Sequence, residues 1–144
     1  MSSPENLVQR LSAHNAGIPF NAWLGIEVLN ASAQGVEMRV PWWPEFGGAP
    51  GMTHGGILAS LLTTAAFLAL LAANGGGGPT IDLQIDYLRS TANGTVMVRS
   101  PVLRAGASIS TVEVRISDQE QRLLASGRCV FLTRERTGRT APRV

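Results

Sequence analysis

From Ile57 to Ala73 the chain runs for seventeen residues without a single charge: Ile-Leu-Ala-Ser-Leu-Leu-Thr-Thr-Ala-Ala-Phe-Leu-Ala-Leu-Leu-Ala-Ala. A helix that is apolar on every face is stable only in a membrane or inside a protein core. Seventeen residues is the lower limit of about 17 for crossing a bilayer. A spanning helix usually carries basic or aromatic anchors at its ends, whereas the nearest arginines here are Arg39 and Arg89 and the flanks are His54-Gly55-Gly56 and Gly75 to Gly78. The core is therefore the expected setting, with a small membrane protein as the competing one.

A core helix needs a cover, and the rest of the chain supplies strands. At 144 residues, 44% of them hydrophobic and 15% charged, there is one domain's worth of chain, able to bury about two thirds of its unfolded surface without disulfides or metal. Residues 81–87 alternate Ile81, Leu83, Ile85, Tyr87 against Asp82, Gln84, Asp86, a period of two that marks a strand with one covered face. Residues 24–31, 36–42, 95–104, 108–117 and 122–133 read as further strands, with turns at Gly35, Asn93-Gly94, Gly106 and Asp118-Gln119-Glu120. Residues 4–14 read as a short amphipathic helix opened by Ser3 and Pro4, with Gly17 and Pro19 ending it. The expected architecture is α+β: an antiparallel sheet of five to six strands wrapped around one long central helix. Residues 1–20 form the N-terminal helix and lead-in, 21–133 the domain proper, and 134–144 an arginine-rich tail expected to be flexible. One curled sheet leaves a side of its helix open, so a second subunit is the natural lid.

Charge excludes one class of partner. All twelve basic residues are arginine, and Arg134, Arg136, Arg139 and Arg143 fall in the last eleven positions, which leaves eight arginines against nine carboxylates in the body. A nucleic-acid binder carries its basic face on the folded body. The single cysteine, Cys129, lies in an apolar run and reads as a buried small hydrophobe. The first twenty residues carry no secretory signal, so a cytoplasmic setting is expected. With His14 and His54 the only histidines, no histidine cluster for a metal exists.

The chemistry concentrates where loop becomes helix, at Gly51-Met52-Thr53-His54-Gly55-Gly56. The first N–H groups of a helix lack internal partners and carry the positive end of its dipole, so they attract anions or polarise a carbonyl. Two glycines in a first turn cost about 1 kcal/mol each in propensity. They are explained either by close approach of a ligand to Gly55 and Gly56 or by tight packing against a strand. Thr53 is a plausible N-cap. Along the same helix Gly56, Ser60, Thr63 and Phe67 form one stripe: either a track for a ligand whose reactive end sits at the Gly55 amide, or buried hydroxyls bonding the carbonyl four residues back.

The Gly51 loop, His54-Gly55-Gly56, the apolar helix, Thr80 to Arg89 and the later Ala125-Ser126-Gly127 together resemble the hotdog-fold acyl-CoA thioesterases of the phenylacetate-degradation, PaaI-like, type, over roughly residues 20–133. The resemblance implies a homodimer or dimer of dimers that hydrolyses the thioester of a small or medium acyl-CoA. Coenzyme A enters as part of the substrate and no separate cofactor is implied. In that family the amide after the histidine, here Gly55, polarises the thioester carbonyl. A carboxylate nine residues after the histidine acts as base or nucleophile, and an Asn or Gln six residues before it positions the reactants; these positions are Thr63 and Gly48 here. A hydroxyl near neutral pH cannot serve as a base unless another group takes its proton, so Thr63 positions a water or, if activated, attacks. Glu45, in the loop before Gly48, is the better substitute carboxylate, ahead of Asp82 and Asp86 on the polar face of their strand. Thr80 matches a hydroxyl that supports the water in some relatives if the strand begins irregularly. Arg89 and Arg104 are candidates for the CoA phosphates, and Trp42, Trp43 and Phe46 for walls of the acyl pocket or a subunit contact. A non-catalytic acyl-CoA-binding protein is the alternative, and a hotdog dehydratase is disfavoured because the helix carries no His–carboxylate pair.

Overall fold

The computed structural model describes residues 3–133, so the arginine-rich tail expected at 134–144 lies outside the described residues. Helix α1 (Pro4–Ala16) opens with Ser3 accepting from the Asn6 N–H and Pro4 in the first turn, and closes at Gly17. A second helix, α2 (Pro19–Leu24), follows at once. Strands β1 (Glu27–Ser32) and β2 (Gly35–Val40) and a 3-10 turn (Pro44–Phe46) then lead to the central helix α3 (Gly55–Asn74). After it come β3 (Thr80–Tyr87), β4 (Val96–Ala105), β5 (Ile109–Ser117) and β6 (Leu123–Leu132).

Helix α2 corrects the sequence reading at one place. Pro19 was expected only to stop α1, and a strand was expected from residue 24. Proline lacks an N–H and has its φ preset for a helix, so it also suits a first helical position. Gly25, left-handed at φ 71°, closes the turn as a C-terminal glycine should. Strand β1 consequently starts only at Glu27.

The six strands form one antiparallel sheet in the order β1-β2-β4-β5-β6-β3. Its concave face wraps α3, burying Leu58, Leu61, Leu62, Ala65, Ala66, Leu68, Ala69 and Leu70 against Met38, Val98, Val112, Val114, Ile116, Ala125 and Phe131. The helix is long and apolar enough to cross a membrane, and it lies in the core with the sheet as its cover. The wrap is incomplete. Ser60, Thr63 and Phe67 remain half-buried and Gly56 exposed, and Ile81, Leu83 and Tyr87 of β3 stay 40% to 54% exposed.

Among the described residues strand β3 is an edge, paired on one side only, to β6. It runs beside α3, with Tyr87 at the Gly55 end. One extra residue in β3 makes a bulge, so that Thr80 pairs with buried Phe131 and Asp82 with Val130. The strand therefore begins irregularly, which brings Thr80 into the row that faces the helix. Gly127 on β6 is required by crowding: a Cβ there would strike the Gln84 carbonyl and come within 2.6 Å of Leu62.

Candidate active site

At the N-terminus of α3 the N-cap is His54, not Thr53. The His54 Nδ1 accepts from the Gly56 N–H at 2.8 Å. Thr53 is diverted because its hydroxyl accepts from the Trp42 indole N–H at 3.1 Å, while its own N–H is tied to the Thr91 carbonyl at 2.7 Å. The N–H of Ile57 folds back on the His54 carbonyl at 3.0 Å. Among the described residues this leaves Gly55 as the first-turn N–H with no partner. Since Nδ1 accepts, a neutral His54 carries its proton on Nε2.

The packing reading of the glycine pair finds support. A Cβ on Gly55 would lie 3.2 Å from the Tyr87 ring, and one on Gly56 would lie 2.8 Å from the His54 Nδ1. The side-chain directions are thus filled by packing, while the Gly55 N–H has no partner among the described residues. Tyr87 also donates its hydroxyl proton to the Gly55 carbonyl at 2.9 Å.

A cleft of about 370 Å³ opens at this point, lined by Gly48, Met52, His54, Gly55, Tyr87 and Arg89 among others. No carboxylate lines it among the described residues. Glu45 stands exposed on the 3-10 turn outside the cleft. Asp86 sits on the outer sheet face with Arg128 and Glu113, as the strand pattern implied. Gly48 brings no side chain, and a Cβ there would press on His54 at 3.0 Å. Behind the cleft, Trp42, Phe46, Ile57, Leu61 and Val96 close a small apolar void, whereas Trp43 lies outside, its indole N–H bonded to the Leu24 carbonyl at 3.3 Å.

The remaining sequence candidates are not at this cleft within one protomer. The Ser60 and Thr63 hydroxyls donate to the carbonyls of Gly56 at 2.8 Å and Ala59 at 3.0 Å, the back-bonding expected of buried hydroxyls. Thr63 is eight residues beyond Gly55, about 12 Å along the axis at 1.5 Å per residue. It sits against Cys129, whose thiol is pushed up to about 11 by burial; the Thr63 hydroxyl draws it down and the Asp82 charge adds to the rise. Phe67 is covered by His14, stacked at 5.8 Å, and meets Phe131 at 6.5 Å. Thr80 pairs with that same Phe131, remote from Gly55. Arg104 lies by Gly106 at the end of β4 opposite Val96, the end that borders the void behind the cleft. Of the two arginines proposed for phosphate, only Arg89 lines the cleft.

Tyr87 is the residue that sequence reasoning named only as part of a motif. Its bond to Gly55 spans 32 positions, a separation that no local pattern reports.

Comparison with known proteins agrees with this fold. Residues 50–125 match the family model of the thioesterase superfamily. The chain belongs to that superfamily, and its fold is the hotdog. A protein of Halobacterium salinarum, named only provisionally as an esterase, is 32% identical over 126 residues, 76% of this chain and 81% of its own length. The medium/long-chain acyl-CoA thioesterase YigI of Escherichia coli is 27% identical over 132 residues, 80% of this chain and 85% of its own. A solved thioesterase-superfamily structure superposes with a TM-score of 0.84 at 35% identity, covering 89% of this chain and 98% of that one. The PaaI protein of E. coli superposes at 0.80 with 21% identity, covering 93% and 97%, a likeness of fold.

Proposed function

We propose that the protein hydrolyses the thioester of an acyl-CoA, with the carbonyl oxygen held by the Gly55 N–H. The observation that carries this reading is that amide: unpartnered among the described residues, at the positive end of a 20-residue helix, and belonging to a residue that lines a cleft. A preorganised donor of this kind, aimed where negative charge develops, contributes roughly 10²- to 10³-fold to acyl transfer. Water adds its hydroxyl to the acyl carbon, the carbon–sulfur bond breaks, and the proton ends on the coenzyme A thiol. The chemistry draws on backbone and hydroxyl groups and calls for no separate cofactor. Arg89 at the cleft rim suits a phosphate of coenzyme A.

The site is completed by a second copy of the chain. Gly55 and Thr63 are about 12 Å apart on one helix, too far to serve one carbonyl. Two copies joined along β3 with antiparallel helices would set Thr63 of one beside Gly55 of the other. Gly56, Ser60 and Thr63 on α3 and the exposed apolar row of β3 are the surfaces that such a partner covers. Thr63 gives its own proton to Ala59, so toward a water it acts as acceptor and orients rather than deprotonates.

A cleft without a carboxylate favours a second reading, a protein that holds an acyl-CoA without cleaving it. Incubation with short, medium, long and aromatic acyl-CoAs, following free thiol, separates the two. Release above the uncatalysed rate, lost in Thr63→Val, supports hydrolysis. Tight binding with no release, and hydrolysis appearing only in Thr63→Asp, supports the binding protein.

A further inference from the structure

We propose that Tyr87 is a positioning residue of this site, holding the peptide between Gly55 and Gly56 so that the Gly55 donor and the His54 imidazole keep one arrangement; the inference rests on the thioesterase reading. That single peptide unit is bonded at both ends. Its carbonyl accepts from the Tyr87 hydroxyl at 2.9 Å, and its N–H donates to the His54 Nδ1 at 2.8 Å.

Glycine is the residue with the most backbone freedom, and two in succession at a helix start leave the first turn free to fray. An oxyanion donor works because it is already in place when charge develops. Something must therefore remove the freedom that the glycines introduce. The Tyr87 ring lies over Gly55, 3.2 Å from where a Cβ would stand, and its hydroxyl fixes the carbonyl. Burial within its own chain does not explain the residue's placement, because Tyr87 is 54% exposed in one protomer. A bond to the carbonyl also strengthens the N–H across the same peptide as a donor, since hydrogen bonds in a chain polarise one another. That N–H holds Nδ1 as acceptor and keeps the imidazole proton on Nε2.

Tyr87→Phe keeps the ring and removes only the hydroxyl. On the acyl-CoA that the parent cleaves best, kcat should fall about 3- to 10-fold, the range of one net hydrogen bond, with KM within about twofold. The Gly56 amide proton should move upfield and exchange faster with solvent, and the ¹⁵N imidazole spectrum of His54 should change from the Nε2-protonated form to a tautomer mixture. Fluorinated tyrosines of increasing acidity at position 87, read below the pH at which they ionise, should raise kcat progressively. A purely packing role would leave that series flat. Unchanged Gly56 exchange and an unchanged His54 spectrum in Tyr87→Phe would overturn the proposal whatever happens to kcat. Should the parent cleave none of the acyl-CoAs, the thioesterase reading fails, while the two spectroscopic measurements still decide the role of Tyr87.

Discussion

At the scale of single residues, Gly127 and Cys129 carry the clearest consequences. Gly127→Ala drives a methyl into the Gln84 carbonyl and Leu62, and backbone cannot yield as a flexible side chain can. A loss of about 3 kcal/mol is expected, read as a lower urea midpoint at unchanged slope. Cys129 has its pKa raised from 9.0 to about 11, chiefly by burial. A thiol kept protonated by the fold contributes stability that is fully present below pH 9 and is lost as pH rises toward 11. Urea midpoints measured between pH 8 and 11 should fall more steeply in the parent than in Cys129→Ala. The same scale shows where sequence reasoning stops. Thr53 has the chemistry of an N-cap, yet the Trp42 indole, eleven positions away, claims its hydroxyl and His54 caps instead. Side-chain competition across a loop is not written in any spacing, and neither is Tyr87 reaching Gly55.

At the scale of elements, what was legible is what has a period. The central helix follows from seventeen uncharged positions, and β3 and β5 from their alternation; each ends within a residue or two of expectation. Helix α2 escaped because six residues are too few to show a helical period, although proline at its start and glycine just past its end were signals. The bulge in β3 could be raised only as a condition on Thr80, because the extra residue shows only against its partner β6. Helix α3 is the element on which the core depends, since every strand leans on it. Leu62, fully buried on its inward face and in contact range of Gly127, should cost about 2–5 kcal/mol when cut to alanine. Calorimetry or chemical denaturation measures this, and Leu71, half-buried near the far end, should cost less.

At the scale of the whole molecule, the expected outcome is a dimer with sites shared between chains. Gly55→Pro, which removes the N–H at a first helical position that tolerates proline, and Thr63→Val should each be inactive alone. Unfolded together and refolded, they should recover about a quarter of the parent activity, because half the dimers are mixed and each mixed dimer has one intact site. No recovery in a mixture that sediments as a dimer would place both groups in one chain. Leu83→Arg, on the exposed edge row, should sediment as a monomer and lose activity while retaining its circular dichroism spectrum.

The position of β3 at the sheet edge also bears on how the chain is made. Residues 80–87 leave the ribosome well before residues 123–132, their only strand partner among the described residues. Until the last strand emerges, a segment with β-forming alternation and a bare apolar row has nothing to pair with, and such segments seed aggregation. The interval between the emergence of β3 and that of β6 is thus the most hazardous for this fold. Chains stopped before residue 123 should accumulate as insoluble material, where chains carried through residue 133 stay in solution.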